Sequence, residues 1–191
     1  MQSDGSSSTL FGENATWKGI RATLCRDFVP SAYSGQSALL LASAEAQAAA
    51  AIFALRSLNI SSIYTIGFRV NGALADLTIP ITGLEDVKTV EQPSIIISAL
   101  PAAKSMLVGP LLKHYSIKKT DPERRRPTKV FVDLTHGPRK GDTLGVAASL
   151  GWTAYGVADV NAWTTVETLR LLVGQNVPYD FVRLASGRSL Y

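Results

Sequence analysis

Apolar residues in this chain fall into short unbroken runs, separated by polar turns and by longer stretches of helix-forming residues. "SALLLA" (37–42) is a run of the kind that a strand buried on both faces requires. From Ser43 to Leu58 the residues are strong helix formers, mostly alanine. Ser43 stands where it could cap that helix, and Asn59 where it could end it in a left-handed conformation. "SIYTIGF" (62–68) is β-branched and aromatic and predicts a second strand. "LTIPI" is ambiguous, because Pro80 confines it to an edge strand or a loop. "SIIISAL" (94–100) is the clearest strand. "AAKSMLVGPLLKHY" (102–115) reads as a helix with a possible break at Gly109-Pro110. "KVFVDL" (129–134) and "TAYGVA" (153–158) predict strands, with a helix at 143–151, closed by Gly151, between them. "AWTTVETLRLLVGQN" (162–176) predicts an amphipathic helix with Val166, Leu169, Leu172 and Val173 on one stripe. The last residues form one more helix or a tail.

Strands that alternate with helices at short intervals predict an α/β fold with a doubly wound, mostly parallel sheet. In such folds the turn after the first strand is the place to look for a nucleotide. A dinucleotide-binding turn needs glycines, so that backbone N–H groups at the helix N-terminus can touch the pyrophosphate. Here the turn reads Ala42, Ser43, Ala44, Glu45. The methyl groups of Ala42 and Ala44 intrude where backbone must meet phosphate. Glu45 puts a carboxylate where the phosphate would sit, and suits the helix dipole by about 0.3–1 kcal/mol. Both a lost cofactor site and an ordinary strand–helix turn predict weak dinucleotide binding or none.

Charge and composition add little to this. The formal net charge is +4, and "KKTDPERRRP" (118–127) holds five basic residues. This run reads as a solvated loop rather than a nucleic-acid patch, because no aromatics interleave with it and no DNA-binding spacing lies nearby. With one cysteine, Cys25, and two histidines, His114 and His136, there is no metal constellation and no internal disulfide. The single cysteine, no basic-then-apolar leader and no bilayer-spanning run together predict a cytoplasmic or nuclear protein without a membrane partner. His136 follows a strand at the edge where α/β ligands bind, so it either lines a cleft or is a polar loop residue. Asp133 is a base or, more readily, a buried acceptor. Lys104 begins a helix and reads as solvated. Trp152 and Trp163 read as core or interface residues.

The order of segments carries a resemblance. "NATWKGIRATL" (14–24), followed by "GQSALLLASAEAQAAAAIFALRSLNISSIYTIGFR", resembles the cofactor domain of the shikimate/quinate dehydrogenase family. In that family "NTDW.G" precedes the domain, a glycine turn follows its first strand, and "NRT" follows its second. "VFVDLTHGPRKGDTL" is similar to the strand leading to "D..Y.P..TPL", and "GWTAYGVADVNAWTTVETLRLLVGQ" to the "G…G..ML..Q" ending. The resemblance covers most of residues 14–185. It implies a Rossmann-like, degenerate dinucleotide-binding domain over 14–191, behind a linker of residues 1–13 and without the family's N-terminal substrate domain. The wording is closest to a divergent branch, the fungal quinate repressors, whose C-terminal part also resembles the end of the pentafunctional aromatic-biosynthesis polypeptide.

The resemblance also implies which residues to inspect. The family's catalytic lysine belongs to the substrate domain. Its catalytic aspartate falls at Thr16, beside a matching Asn14 and Trp17, and threonine takes no proton at neutral pH as a carboxylate does. "NRT" reads "GFR", which displaces Arg69 by one residue, so on a strand it would face the other way. The tyrosine of "D..Y.P" is His136. Gln175 keeps the family's substrate-contacting residue, although it also reads as a helix cap. The expectation is therefore a non-catalytic regulator with no cofactor and no DNA contact of its own. Its partner would be the transcriptional activator of the quinate pathway, and a quinate- or shikimate-type metabolite would bind near Asn14, Thr16, His136 and Gln175. The alternatives are an NADP-dependent shikimate or quinate dehydrogenase or a fragment of one, and a truncated product with no independent role.

Overall fold

The computed structural model describes residues 14–87, 90, 92–116, 128–136 and 142–188. The 1–13 linker and the basic run 118–127 lie outside the described residues. Six strands, β1 (Ser37–Ala42), β2 (Ser62–Ile66), β3 (Thr78–Ile81), β4 (Ile95–Ala99), β5 (Val130–Asp133) and β6 (Thr153–Gly156), make one sheet in the order β3-β2-β1-β4-β5-β6. Every neighbouring pair is parallel. The helices are α1 (Ala15–Leu24), α2 (Glu45–Arg56), α3 (Leu84–Val87), α4 (Val108–His114), α5 (Thr143–Ser149), α6 (Val157–Val173) and α7 (Tyr179–Arg188). Three 3-10 turns lie at Pro30–Tyr33, Gly72–Leu77 and Ala102–Leu107.

Parallel sheets are covered on both faces, and the apolar runs follow from that. All six residues of β1 are buried. Ala38, Leu40 and Ala42 join Ile20 and Leu24 of α1, Ala51, Ile52 and Leu55 of α2, and Val160 of α6 in one core. Leu39 and Leu41 enter a second core with Ile96, Phe131, Leu111, Leu112 and Trp152. Burying each leucine side chain contributes about 1.5–3 kcal/mol. Pro80 sits in β3, an edge strand, where its missing N–H leaves no gap between two strands.

The structure differs from the sequence expectations at several element ends. Ser43 does not cap α2. The cap residue is Ala44, which makes no side-chain bond, and the Ser43 hydroxyl is buried without a partner. Asn59 does take a left-handed conformation, with φ 56°. The break in 102–115 falls between Leu107 and Val108 rather than at Gly109-Pro110. Pro110 lies in the first turn of α4, where its N–H would have no intrahelical acceptor. α6 begins at Val157, five residues earlier than its pattern suggested, because β6 ends at Gly156. Of its expected stripe Val166 is buried, but Leu172 and Val173 are 76% and 59% exposed. α7 covers only the first half of α6, through Val182 against Ala162 and Val166.

Candidate functional site

The strand order reverses between β1 and β4, the place where doubly wound sheets open a crevice at the carboxyl ends of their strands. A cleft of about 400 Å³ lies there. Leu100 and Pro101 after β4, Leu134 after β5 and Val157 and Val160 of α6 make its walls mostly apolar. Its polar groups come from four elements: Thr16 of α1, Gln47 of α2, His136 after β5 and Asn161 of α6. Thr16 and His136 therefore meet at one cleft. Asn14 caps α1, its Oδ1 accepting the Thr16 N–H at 2.8 Å. Gln175 is exposed in the α6–α7 linker and does not line the cleft, and α6 ends on left-handed Gly174 rather than on Gln175. Gln47 and Asn161 escaped the sequence reading. Gln47 stands in the first turn and Asn161 in the second turn of a helix that leaves a strand at this edge, which is the signal that could have found them.

The turn after β1 is filled by the chain itself. Ser43 N–H donates to Gln47 Oε1 at 3.3 Å. Glu45 opens α2, and its Oε2 accepts from both the N–H and the Nδ2 of Asn71 at 3.4 Å. The glutamine oxygen thus takes an N–H of the turn that a phosphate would need, and Glu45 adds a negative charge to the first turn of the helix. Ala42 is fully buried, and its carbonyl oxygen lies so close to Gly67 that a Cβ there would come within 2.5 Å. β2 ends at Ile66, and Gly67 turns the chain with φ 89°. Phe68 then packs on the first core and Arg69 is exposed. Arg69 lies beyond the strand, so strand alternation does not set its direction.

Asp133 is 1% exposed and accepts from Thr135 N–H at 2.9 Å and Thr143 Oγ1 at 2.6 Å. It fastens α5 to the sheet. Lys104 is exposed in a 3-10 turn, Trp152 is in the second core, and Trp163 stacks on Tyr179 at 4.5 Å. Burial pushes the Cys25 thiol up, opposite to what a reactive thiolate needs. Among the described residues no group of His, Cys, Asp and Glu could hold a metal ion, and no helix is long and apolar enough to cross a membrane.

A polar cluster pins α7 beside this edge. Asp159 in the first turn of α6 accepts from Gly156 N–H at 3.0 Å, Tyr179 O–H at 3.0 Å and Arg183 Nε at 3.2 Å. The Arg26 guanidinium lies 5.9 Å from the Tyr155 ring and 5.4 Å from the Tyr179 ring. The Tyr155 hydroxyl donates to Asp27, and burial together with that bond raises its pKa. Burial alone would raise the Asp159 carboxyl, but the Gly156 N–H, Tyr179 and Arg183 outweigh it and hold the group below its ordinary 3.8. The stability this contributes is present above the ordinary carboxylate value and is lost as pH falls through the lowered one. The protection of amides in residues 179–188, relative to their intrinsic exchange rates, should therefore fall in acid, below about pH 4. Asp159→Ala should loosen α7 at neutral pH by about 2 kcal/mol. Unchanged α7 protection in that variant would refute the expectation.

No family model matches the chain. Solved structures do. The shikimate dehydrogenase of Aquifex aeolicus is 20% identical with a TM-score of 0.61, and the match covers 92% of this chain and 61% of that one. The dehydroquinate dehydratase and shikimate dehydrogenase structure from S. pombe is 20% identical with a TM-score of 0.71, covering 95% of this chain and 35% of that one. The shikimate 5-dehydrogenase of Thermus thermophilus, in complex with NADP(H) and shikimate, is 21% identical with a TM-score of 0.64, covering 95% and 64%. The fold is Rossmann-like, of the shikimate dehydrogenase kind. At these identities the likeness establishes the fold, and the chain spans less than two thirds of each structure's length.

Proposed function

We propose that the chain is a non-catalytic, dehydrogenase-like regulatory module. The observation that carries this reading is the turn after β1, where Gln47 takes the Ser43 N–H and Glu45, bonded to Asn71, adds a carboxylate to the first turn of α2. A pyrophosphate on this turn would lie near the Glu45 carboxylate in the first turn of α2, and like charges so close disfavour binding. Thr16, at the position where the resemblance expects an aspartate, supports an absence of hydride chemistry. Following the resemblance to the quinate repressors, the partner is the transcriptional activator of quinate utilisation. The ligand is a quinate- or shikimate-type metabolite bound weakly in the cleft beside Thr16, His136 and Asn161. An NADP-dependent dehydrogenase domain is the second reading, favoured by the open cleft at the switch point.

The test is a calorimetric titration of the folded chain with NADPH and NADP. We expect no binding in the micromolar range. A micromolar Kd would overturn the regulatory reading and bring the dehydrogenase forward. A pull-down between purified chain and purified activator tests the partner directly.

A further inference from the structure

A second cavity, of about 270 Å³, lies at the opposite edge of the sheet, at the amino ends of β1, β4 and β5. The six residues of β1 put roughly 20 Å between it and the cleft, at about 3.3 Å per residue. Gln36, Gln92, Thr128 and Lys129 are among its walls. Lys129 is 4% exposed. Its Nζ donates to the Tyr115 carbonyl at 2.7 Å and lies 5.3 Å from the centroid of the Trp152 ring. Gln92 Nε2 donates to the same carbonyl at 3.3 Å, so the ammonium and the amide of the cavity wall are neighbours.

An ammonium carries three N–H donors, and here one has an acceptor. No carboxylate pairs with Lys129 among the described residues. A carbonyl and an aromatic face do not neutralise a buried charge, which requires a counter-ion, further hydrogen bonds or loss of its proton. We propose that the cavity binds a small oxyanion, with Lys129 Nζ as its charge partner and Gln36 and Thr128 as hydrogen-bond donors. Burial also draws the Lys129 amine below its ordinary range, the shift a bound anion would reverse. The site is separate from the cleft and does not depend on what the cleft binds.

The probe is inorganic phosphate, titrated into the full chain at constant ionic strength against chloride and read by calorimetry and thermal unfolding. Phosphate should bind saturably and raise Tm. Lys129→Met should weaken it at least about tenfold, a loss of about 1.4 kcal/mol. Because that substitution alters a buried position, Gln36→Glu serves as a second variant. It sets a carboxylate on the exposed wall and should abolish the phosphate response while the protein stays folded. Equal affinity in wild type, Lys129→Met and Gln36→Glu overturns the proposal, as does a Tm rise no larger than that in chloride. His136→Ala, at the far edge, should leave phosphate binding unchanged. Loss of binding there would place the anion in the cleft and overturn the proposal.

Discussion

Replacing Gly19 with valine should destabilise the chain by about 3 kcal/mol or prevent it from folding. Gly19 lies in α1 where that helix crosses α6, and the nearest atoms there include backbone that cannot rotate away. A Cβ built on Gly19 would land on Thr164 Oγ1, 2.8 Å from Thr164 N and 2.9 Å from Val160 O. The Thr164 hydroxyl is itself held, donating to Val160 O at 2.8 Å. On propensity alone a side chain in mid-helix would help, by roughly 0.5–1 kcal/mol for alanine. The collision outweighs that gain, because two packed helices must part to admit even a methyl. Gly19→Ala should therefore lower stability by about 2 kcal/mol, and Tm by about 4–8 °C for a domain of this size. Adding Thr164→Ala should restore only part of the loss, since Thr164 N and Val160 O remain in place. Chemical denaturation of the three variants checks this, and a Gly19→Ala protein as stable as wild type would remove the helix-crossing argument.

Asp133→Ala should lower stability by a similar amount, about 3 kcal/mol. The carboxylate is 1% exposed and satisfies Thr135 N–H and the Thr143 hydroxyl, both themselves buried. Alanine leaves two buried donors without acceptors, and each orphan costs about 1–3 kcal/mol. It also frees the start of α5, whose other anchor is Asp142 accepting from Gly145 N–H at 2.8 Å. Asp133→Asn keeps an acceptor oxygen and should lose less. Thermal unfolding separates this role from a base in the cleft. A structural acceptor shows a large loss in the alanine variant and a smaller one in the asparagine variant. A change below about 0.5 kcal/mol in both would be the size expected of an ordinary surface position, and the structural role would then be wrong.

β1, β4 and β5 were legible because each is buried on both faces and so must be an apolar run. "SALLLA" became β1 over the same residues, whereas "KVFVDL" and "TAYGVA" overran their strands: β5 is Val130–Asp133, β6 is Thr153–Gly156, and Val157 and Ala158 open α6. The anomaly of the turn was also legible, as an absence of glycine at Ala42 and Ala44 and a charge at Glu45. What holds that turn was not. Glu45 and Asn71 are 26 residues apart, and nothing local announces their pairing. The same distance argument hid α1, whose apolar face has meaning only against α6, and the close approach of Gly19 to Thr164 and Val160. Of the positions the resemblance points to, the fold brings Thr16 and His136 to one cleft and leaves Gln175 outside it.

By itself the sequence determined the α/β class, the strand runs and the missing glycines, since these follow from local burial period and from what each residue can do at its own position. Only the tertiary structure decided which groups satisfy one another. Lys129 shows the reason most clearly. Its place before β5 reads as a strand-end lysine, yet its charge is enclosed by Tyr115 and Trp152, 14 residues before it and 23 after. Burial and pairing depend on contacts distant in sequence, and a one-dimensional pattern carries no record of those contacts.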